Sequence, residues 1–153
     1  LYALLERLLK RWHPRLAKSN IHYSLRAEGD IPAIQGDPNA LEQVFVNLIS
    51  NAVRAMEESG GNLALKLSAR SNEREKQMVQ VDCADSGCGI PPEVVERIFE
   101  PFFTTHPGGT GLGLSLAKQI ITAHKGRITL TTQPGMTIFH VILPAAPSEE
   151  KQP

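Results

Sequence analysis

Gln43-Val44-Phe45-Val46-Asn47-Leu48-Ile49-Ser50-Asn51-Ala52 is the stretch on which the fold and function of this chain turn. At about 100° per residue in a helix, Gln43, Asn47, Asn51 and, one turn on, Arg54 fall within an arc of roughly 80°. Leu41, Val44, Phe45, Leu48, Ile49, Ala52 and Ala55 occupy the opposite side, as a core-facing stripe should. A merely solvated face would hold Glu and Lys. Amides have poorer helix propensity and little reason to recur four residues apart. Amide oxygens at that spacing can address one hard cation, with Arg54 placed to meet an anion. Asp37-Pro38 supplies an N-cap and a first-turn proline, so the helix is expected from 38 to about Ser59, where Gly60-Gly61 stops it.

Upstream of this helix, leucines at helical spacing over residues 1–19 predict another helix, bent or broken at Pro14. Ile21 to Ala27 reads as a short strand. Downstream, Leu63 to Ala69 and Met78 to Ala84 alternate apolar and polar residues around a charged loop, which predicts an antiparallel pair. Pro91-Pro92 opens a short helix expected to reach Phe99. A glycine- and proline-rich segment, Thr104 to Gly113, leads into a third main helix ending near Lys125. Strands over 126–133 and 136–143 flank Pro134-Gly135. The arrangement predicts one α+β domain over residues 1–144, three main helices on one face of a mixed sheet, and a disordered tail over 145–153.

Two further segments carry chemistry. In Asp85-Ser86-Gly87-Cys88-Gly89-Ile90, the carboxylate shares strand parity with Val79, Val81 and Cys83 and so continues an inward, apolar face. A turn-forming Asp is the plain alternative. A carboxylate aimed inward must find donors, and an amino group on a ligand is one. Gly87 and Gly89 let the backbone pass close to a flat ligand. In Gly108-Gly109-Thr110-Gly111-Leu112-Gly113-Leu114-Ser115, backbone donors at a helix start form an anion site, with a flexible hinge as the alternative. Gly108, Gly113 and Ser115 imitate the P-loop spacing, but Leu114 occupies the required lysine position.

Composition bounds the rest. Among 153 residues, 16 Lys and Arg balance 16 Asp and Glu, so no basic surplus exists to recruit nucleic acid or an anionic membrane. No apolar run approaches the roughly 18 residues of a membrane span. Cys83 and Cys88 make neither a disulfide framework nor a zinc pattern and read as cytosolic thiols. Leu1 is not an initiator Met, so the sequence reads as a piece of a longer, cytoplasmically working protein.

The order of these segments resembles the ATP-binding catalytic domain of bacterial sensor histidine kinases. That family belongs to the Bergerat-fold group, with DNA gyrase, MutL and the ninety-kilodalton heat-shock chaperones. Gln43 to Ala52 is similar to the asparagine box and Asp85 to Ile90 to the first glycine box. Ile98-Phe99-Glu100-Pro101-Phe102-Phe103-Thr104-Thr105 is similar to the phenylalanine box, and Gly109 to Leu114 to the second glycine box. The wording of the last two looks most like kinases of the nitrogen-regulation type. The resemblance covers roughly residues 1–144 and implies a two-layer α/β sandwich with a mostly antiparallel sheet and a lid loop.

It further implies that Asp85 accepts from the adenine amino group, with Gly87, Gly89, Ile90 and Thr137 around the ring. Asn51 and Asn47 would present amide oxygens to Mg²⁺, and Arg54 a cation to a phosphate. Gly109, Thr110, Gly111, Leu112, Gly113 and Leu114 would hold the outer phosphates of ATP, with Phe103, Thr104 and Thr105 also at the nucleotide and Thr104 to Gly109 acting as a movable lid. Where hydrolysing relatives carry a Glu one turn before the metal Asn, this chain has Asn47, and an amide is no general base. The implied chemistry is phosphoryl transfer to a histidine on a separate dimerisation domain of the parent, then to a response regulator. The acceptor pattern, His followed by an acid, is absent here: the five histidines precede Pro14, Tyr23, Pro107, Lys125 and Val141. A monomeric fragment of a dimeric parent is expected. His106 stands where relatives place a lysine, which predicts nucleotide affinity that falls as His106 loses its proton. The rival readings are an ATP-hydrolysing clamp, a serine-kinase relative acting on a regulatory protein, and a nucleotide sensor without transfer.

Overall fold

A computed structural model of the chain describes residues 1–74 and 76–147. Three helices, α1 (Tyr2–Lys18), α2 (Pro38–Met56) and α3 (Gly113–Ala123), cover one face of a five-stranded sheet. The strands are β1 (Ile21–Glu28), β2 (Gly61–Ser71), β3 (Gln77–Asp85), β4 (Arg127–Gln133) and β5 (Met136–Pro144), in the order β1-β2-β3-β5-β4. Only β1 and β2 run parallel, because α2 carries the chain back between them. The mixed α+β sandwich expected from the sequence is the fold observed.

Local chemistry explains the elements. Asp37 caps α2, its carboxylate accepting from the Asn39 N–H at 2.9 Å, with Pro38 in the first turn. The helix ends at Met56, a little short of the expected Ser59, and the Gly60 N–H (φ +69°) closes onto the Met56 carbonyl. On α2 the buried side holds Phe45, Leu48 and Ile49, on α1 Leu5, Leu8 and Leu9, and the strands add alternate residues such as Leu65, Val81 and Val141. Each such side chain contributes roughly 1.5–3 kcal/mol when fully buried.

Three expectations are corrected. Pro14 does not break α1, which continues to Lys18 because Leu16, fully buried, holds the last turn on the core. The helix expected from Pro91 to Phe99 is only a 3-10 turn, Val95–Arg97; it buries none of its own residues, so no apolar stripe sustains it. Ala145 and Ala146, placed in the disordered tail, donate their N–H groups to Gln77 and Ala33 carbonyls. Residues 148–153 of that tail lie outside the described residues. Among the described residues, no helix is long and apolar enough to cross a membrane.

Candidate nucleotide site

The site begins where β3 runs out of apolar residues. Asp85 ends that strand, 6% exposed, directly opposite Thr137 on β5, which is 4% exposed. One Asp85 oxygen accepts from the Gly87 N–H at 2.9 Å. Burial pushes the carboxyl up from 3.8 to about 6, and the Gly87 hydrogen bond opposes that rise. The Asp is therefore inward-facing, as its parity predicts, and it also nucleates the turn that follows.

The glycines of that turn are required by close approach. A side chain at Gly87 would meet the Ala55 methyl at 2.7 Å, so the loop lies directly on α2. Gly89 combines φ +81° with a position where a Cβ would overlap the Gln133 carbonyl oxygen. Ser86 ties the same loop to β2, exchanging hydrogen bonds with the Asn62 backbone at 2.8 and 3.1 Å. The Ile90 N–H donates to Thr132 Oγ1 at 2.9 Å. Ser86 and Thr132 were absent from the sequence-derived set; a hydroxyl whose partners lie across a sheet leaves no local pattern.

The other end of the site is the start of α3. Asn47 donates its amide to the Gly113 carbonyl at 2.9 Å and accepts from the Gln43 amide at 3.0 Å. Asn51, half-buried one turn further, makes no side-chain hydrogen bond among the described residues. Arg54 is exposed in the last turn of α2. It lies seven residues, about 10 Å along the helix, from Asn47, so it belongs nearer Gly87 than Gly113. Ala55 and Asn47 thus separate the two ends of the site by about 12 Å, a span suited to a ring with an attached chain of phosphates.

No side chain caps α3 at Leu112, so the first N–H groups of Gly113 and Leu114 carry the positive end of the helix without a partner among the described residues. Before it, Phe102 (φ +66°) donates its N–H to the Gly111 carbonyl (φ +70°) at 2.9 Å. Thr104 Oγ1 accepts from the His106 N–H, and the Gly109 N–H closes onto the His106 carbonyl, giving a compact exposed loop. The Leu112 N–H reaches Thr110 Oγ1 at 3.4 Å. Phe103 is half-buried under the Arg97 guanidinium, 4.6 Å from its ring centre, while Thr105 and His106 are exposed.

The donor set fits a metal held jointly with a ligand. Among the described residues, no three His, Cys, Asp or Glu side chains cluster to hold an ion by themselves. Asn51 leaves one uncommitted amide oxygen on the α2 stripe, whereas the Asn47 oxygen is already engaged by Gln43.

Comparison with known proteins places this geometry. Residues 36–147 match the model for the histidine kinase-, DNA gyrase B- and HSP90-like ATPases. Sporulation kinase E of Bacillus subtilis (strain 168) is 36% identical over 135 residues, 88% of this chain and 18% of the relative. The sensory histidine kinase/phosphatase NtrB of Escherichia coli O157:H7 is 38% identical, over 74% of this chain and 34% of its own length. The chain thus spans about a third of one of these curated relatives and less than a fifth of the other. The solved catalytic domain of histidine kinase ThkA, nucleotide-free, superposes with a TM-score of 0.82 at 29% identity, covering 95% of this chain and 92% of that one. ThkA in complex with the response regulator protein TrrA gives 0.78 at 26% identity, over 98% of this chain and 42% of that one. The matched residues cover most of the chain, and with the superposition on the ThkA domain they show the family to which it belongs: it is a histidine kinase-type catalytic domain of the histidine kinase-, DNA gyrase B- and HSP90-like ATPases.

Proposed function

We propose that the chain binds ATP with Mg²⁺ and donates the γ-phosphoryl group to a histidine on a separate dimerisation domain of its parent. The observation that carries this is the pairing of two unlike ends on one helix. Next to Ala55 sits a buried carboxylate opposite a hydroxyl; next to Asn47 sits an uncapped helix start. A purine amine suits the first and phosphate oxygens the second.

In this reading Asp85 accepts from the purine amine and Thr137 faces the same ring. Gly87 and Gly89 keep that space flat. The N–H groups at the start of α3, with the 109–112 backbone, hold the outer phosphates, and Arg54, in the last turn of α2, is the cation assigned to a phosphate nearer the purine end. Thr104 and Thr105 belong to the loop that covers the phosphates. The Asn51 amide oxygen would hold Mg²⁺, and the ion would supply neutralisation of charge that otherwise repels the acceptor. The acceptor imidazole forms an N–P bond as the bond to the β-phosphate oxygen breaks, and ADP leaves with that electron pair. Orientation and charge neutralisation supply the rate, with no general base from the chain. The phosphohistidine would pass its phosphoryl group to a response-regulator aspartate, a partner class supported by the ThkA complex.

The hydrolytic alternative needs a base near the γ-phosphate. Asn47 occupies the place and spends its donor on Gly113, which favours transfer over hydrolysis. Calorimetric titration of ATP with and without Mg²⁺, on the wild type and on Asp85→Asn, tests the reading. Mg²⁺-dependent binding lost in the variant supports it, and a wild type that binds no nucleotide refutes it.

A further inference from the structure

The face of the sheet turned away from the helices carries a second arrangement of reactive groups. Val81, Val141 and Ile128 are buried on the inner face, so by strand parity Asp82, His140 and Thr131 project from the outer one. Asp82 stands directly opposite His140 across β3 and β5, and Thr131 on β4 lies diagonal to it. The His140 Nδ1–H donates to Asp82 Oδ1 at 2.7 Å, and His140 Nε2 lies 2.9 Å from Thr131 Oγ1. A carboxylate only accepts, so it fixes the proton of the neutral ring on Nδ1 and leaves the Nε2 lone pair facing the threonine. The Thr131 hydroxyl therefore donates to His140.

The carboxylate is itself held in place. Gln80, buried on the same face, donates its amide to Asp82 Oδ1 at 2.5 Å and accepts from the Arg70 guanidinium. Lys66 Nζ lies 4.0 Å from the other carboxylate oxygen. Asp82 and His140 are half-buried, whereas Thr131 is exposed and within reach of a reagent. Thr129 supplies a contrast on the same strand and face. It is exposed and directly opposite His140 in register, yet its hydroxyl makes no hydrogen bond among the described residues.

A hydroxyl held by an imidazole, with that imidazole oriented by a carboxylate, is the arrangement of an activated nucleophile. We propose that Thr131 is a nucleophile that takes an acyl group from an activated carboxylic ester, with His140 as its general base and Asp82 as the positioning residue. Thr131 Oγ1 bonds to the ester carbonyl carbon and passes its proton to His140 Nε2. The carbonyl carbon then releases its alkoxide oxygen with the bonding pair, and His140 gives the proton to that oxygen. Ester and threonine thus become acyl-threonine and an alcohol. The row supplies attack and proton transfer only, so the donor must be one whose leaving oxygen departs readily, as in an aryl ester.

The test incubates the whole chain with para-nitrophenyl acetate and locates acetyl groups by tandem mass spectrometry, with Thr129 as internal reference. Acetylation is expected at Thr131 about a hundredfold faster than at Thr129, as a positioned base provides. Thr131→Ser keeps the reaction at that position. His140→Gln is expected to bring Thr131 down to the Thr129 rate. Asp82→Asn should lower the Thr131:Thr129 ratio about tenfold, a change that a merely structural carboxylate would not cause in a chain still folded by circular dichroism. Equal rates at Thr129 and Thr131, or acetyl groups confined to amines and thiols such as Lys66 and Cys88, overturn the proposal. So does a folded His140→Gln chain with the wild-type ratio. If neither variant folds, the wild-type ratio decides alone. ATP takes no part in the reaction, so each outcome is independent of the nucleotide reading.

Discussion

Asp85 and Thr137 face each other across the β3–β5 ladder, and both are buried although every other buried residue on the inward face of those two strands is apolar. Val79, Val81 and Cys83 lead up to one; Phe139, Val141 and Leu143 follow the other. A polar pair at the end of such a layer weakens the core, since buried polar groups persist only with partners. Its presence is best explained by a ligand that completes it, at some expense of stability in the empty chain.

Asp85→Asn separates these two effects. In the folded chain the carboxyl titrates at about 6 instead of 3.8, so the folded state keeps a proton that the unfolded state releases between those values. Stability therefore declines as pH rises from about 4 to 6 and stays lower above that. The variant removes this dependence: it is expected to melt several degrees above the wild type at pH 7, with the gap closing near pH 4. At the same time ATP affinity should fall by about ten- to a hundredfold, as for loss of a charged hydrogen bond. In the wild type, affinity should weaken as pH falls through about 6, because the acceptor becomes protonated. Scanning calorimetry and titrations at several pH values check all three, and a variant that melts below the wild type at pH 7 would refute the burial argument.

Gly111→Ala should damage the phosphate end selectively. Its φ of +70° costs an L residue about 1–2 kcal/mol, and a Cβ there would overlap the Phe102 backbone. Phe102, itself at φ +66°, gives its N–H to Gly111, so the change loosens the link between the two boxes. The core of the sheet is remote from this loop. The expected result is weaker ATP binding, with binding of adenosine, which lacks phosphates, unchanged. Equal loss of both ligands would count against a phosphate-specific role.

How much of this was legible in the sequence depends on how local each cause is. The Asp37-Pro38 start of α2, the inward parity of Asp85 and the hairpin around Pro134-Gly135 follow from neighbours a few residues apart. The family boxes then supply the likeness and the expected roles. The parallel pairing of β1 with β2 depends on a crossover, and no periodicity records it. Thr132 escapes for the same reason, since Ile90 is 42 residues away in the chain. Asn47 was expected to face a metal; only the fold shows that Gly113, 66 residues on, takes its amide.

Cys88 offers a direct report on occupancy. It is exposed between Gly87 and Gly89, whereas Cys83 is buried with its thiol pushed up to about 12 by burial, then by the Asp85 and Asp82 charges. Thiolate is the reactive form, so a brief alkylation at pH 8 should add one label, at Cys88. Saturating Mg-ATP should slow that labelling several-fold if the ring lies against this loop. Mass spectrometry of the two cysteine peptides reads both results, and unprotected labelling would place the nucleotide elsewhere.

Asn47 should resist conversion into a hydrolytic base. Its amide donates to the Gly113 carbonyl, so a carboxylate at this position would face an oxygen acceptor. Asn47→Asp is expected to cost about 1–3 kcal/mol through that unmet pair, and Asn47→Glu to yield no robust ATPase. The wild type should hydrolyse ATP slowly and should not phosphorylate itself. His124 holds the Ile120 carbonyl and the Asp37 N–H, and His140 is bound to Asp82 and Thr131. His13, His22 and His106 lie exposed on a helix, a strand and the loop before α3, none followed by an acid. Incubation with γ-labelled ATP should leave the chain unlabelled and place label on an added helical hairpin bearing the acceptor histidine. Base-stable phosphohistidine on the isolated chain would show that transfer needs no second domain.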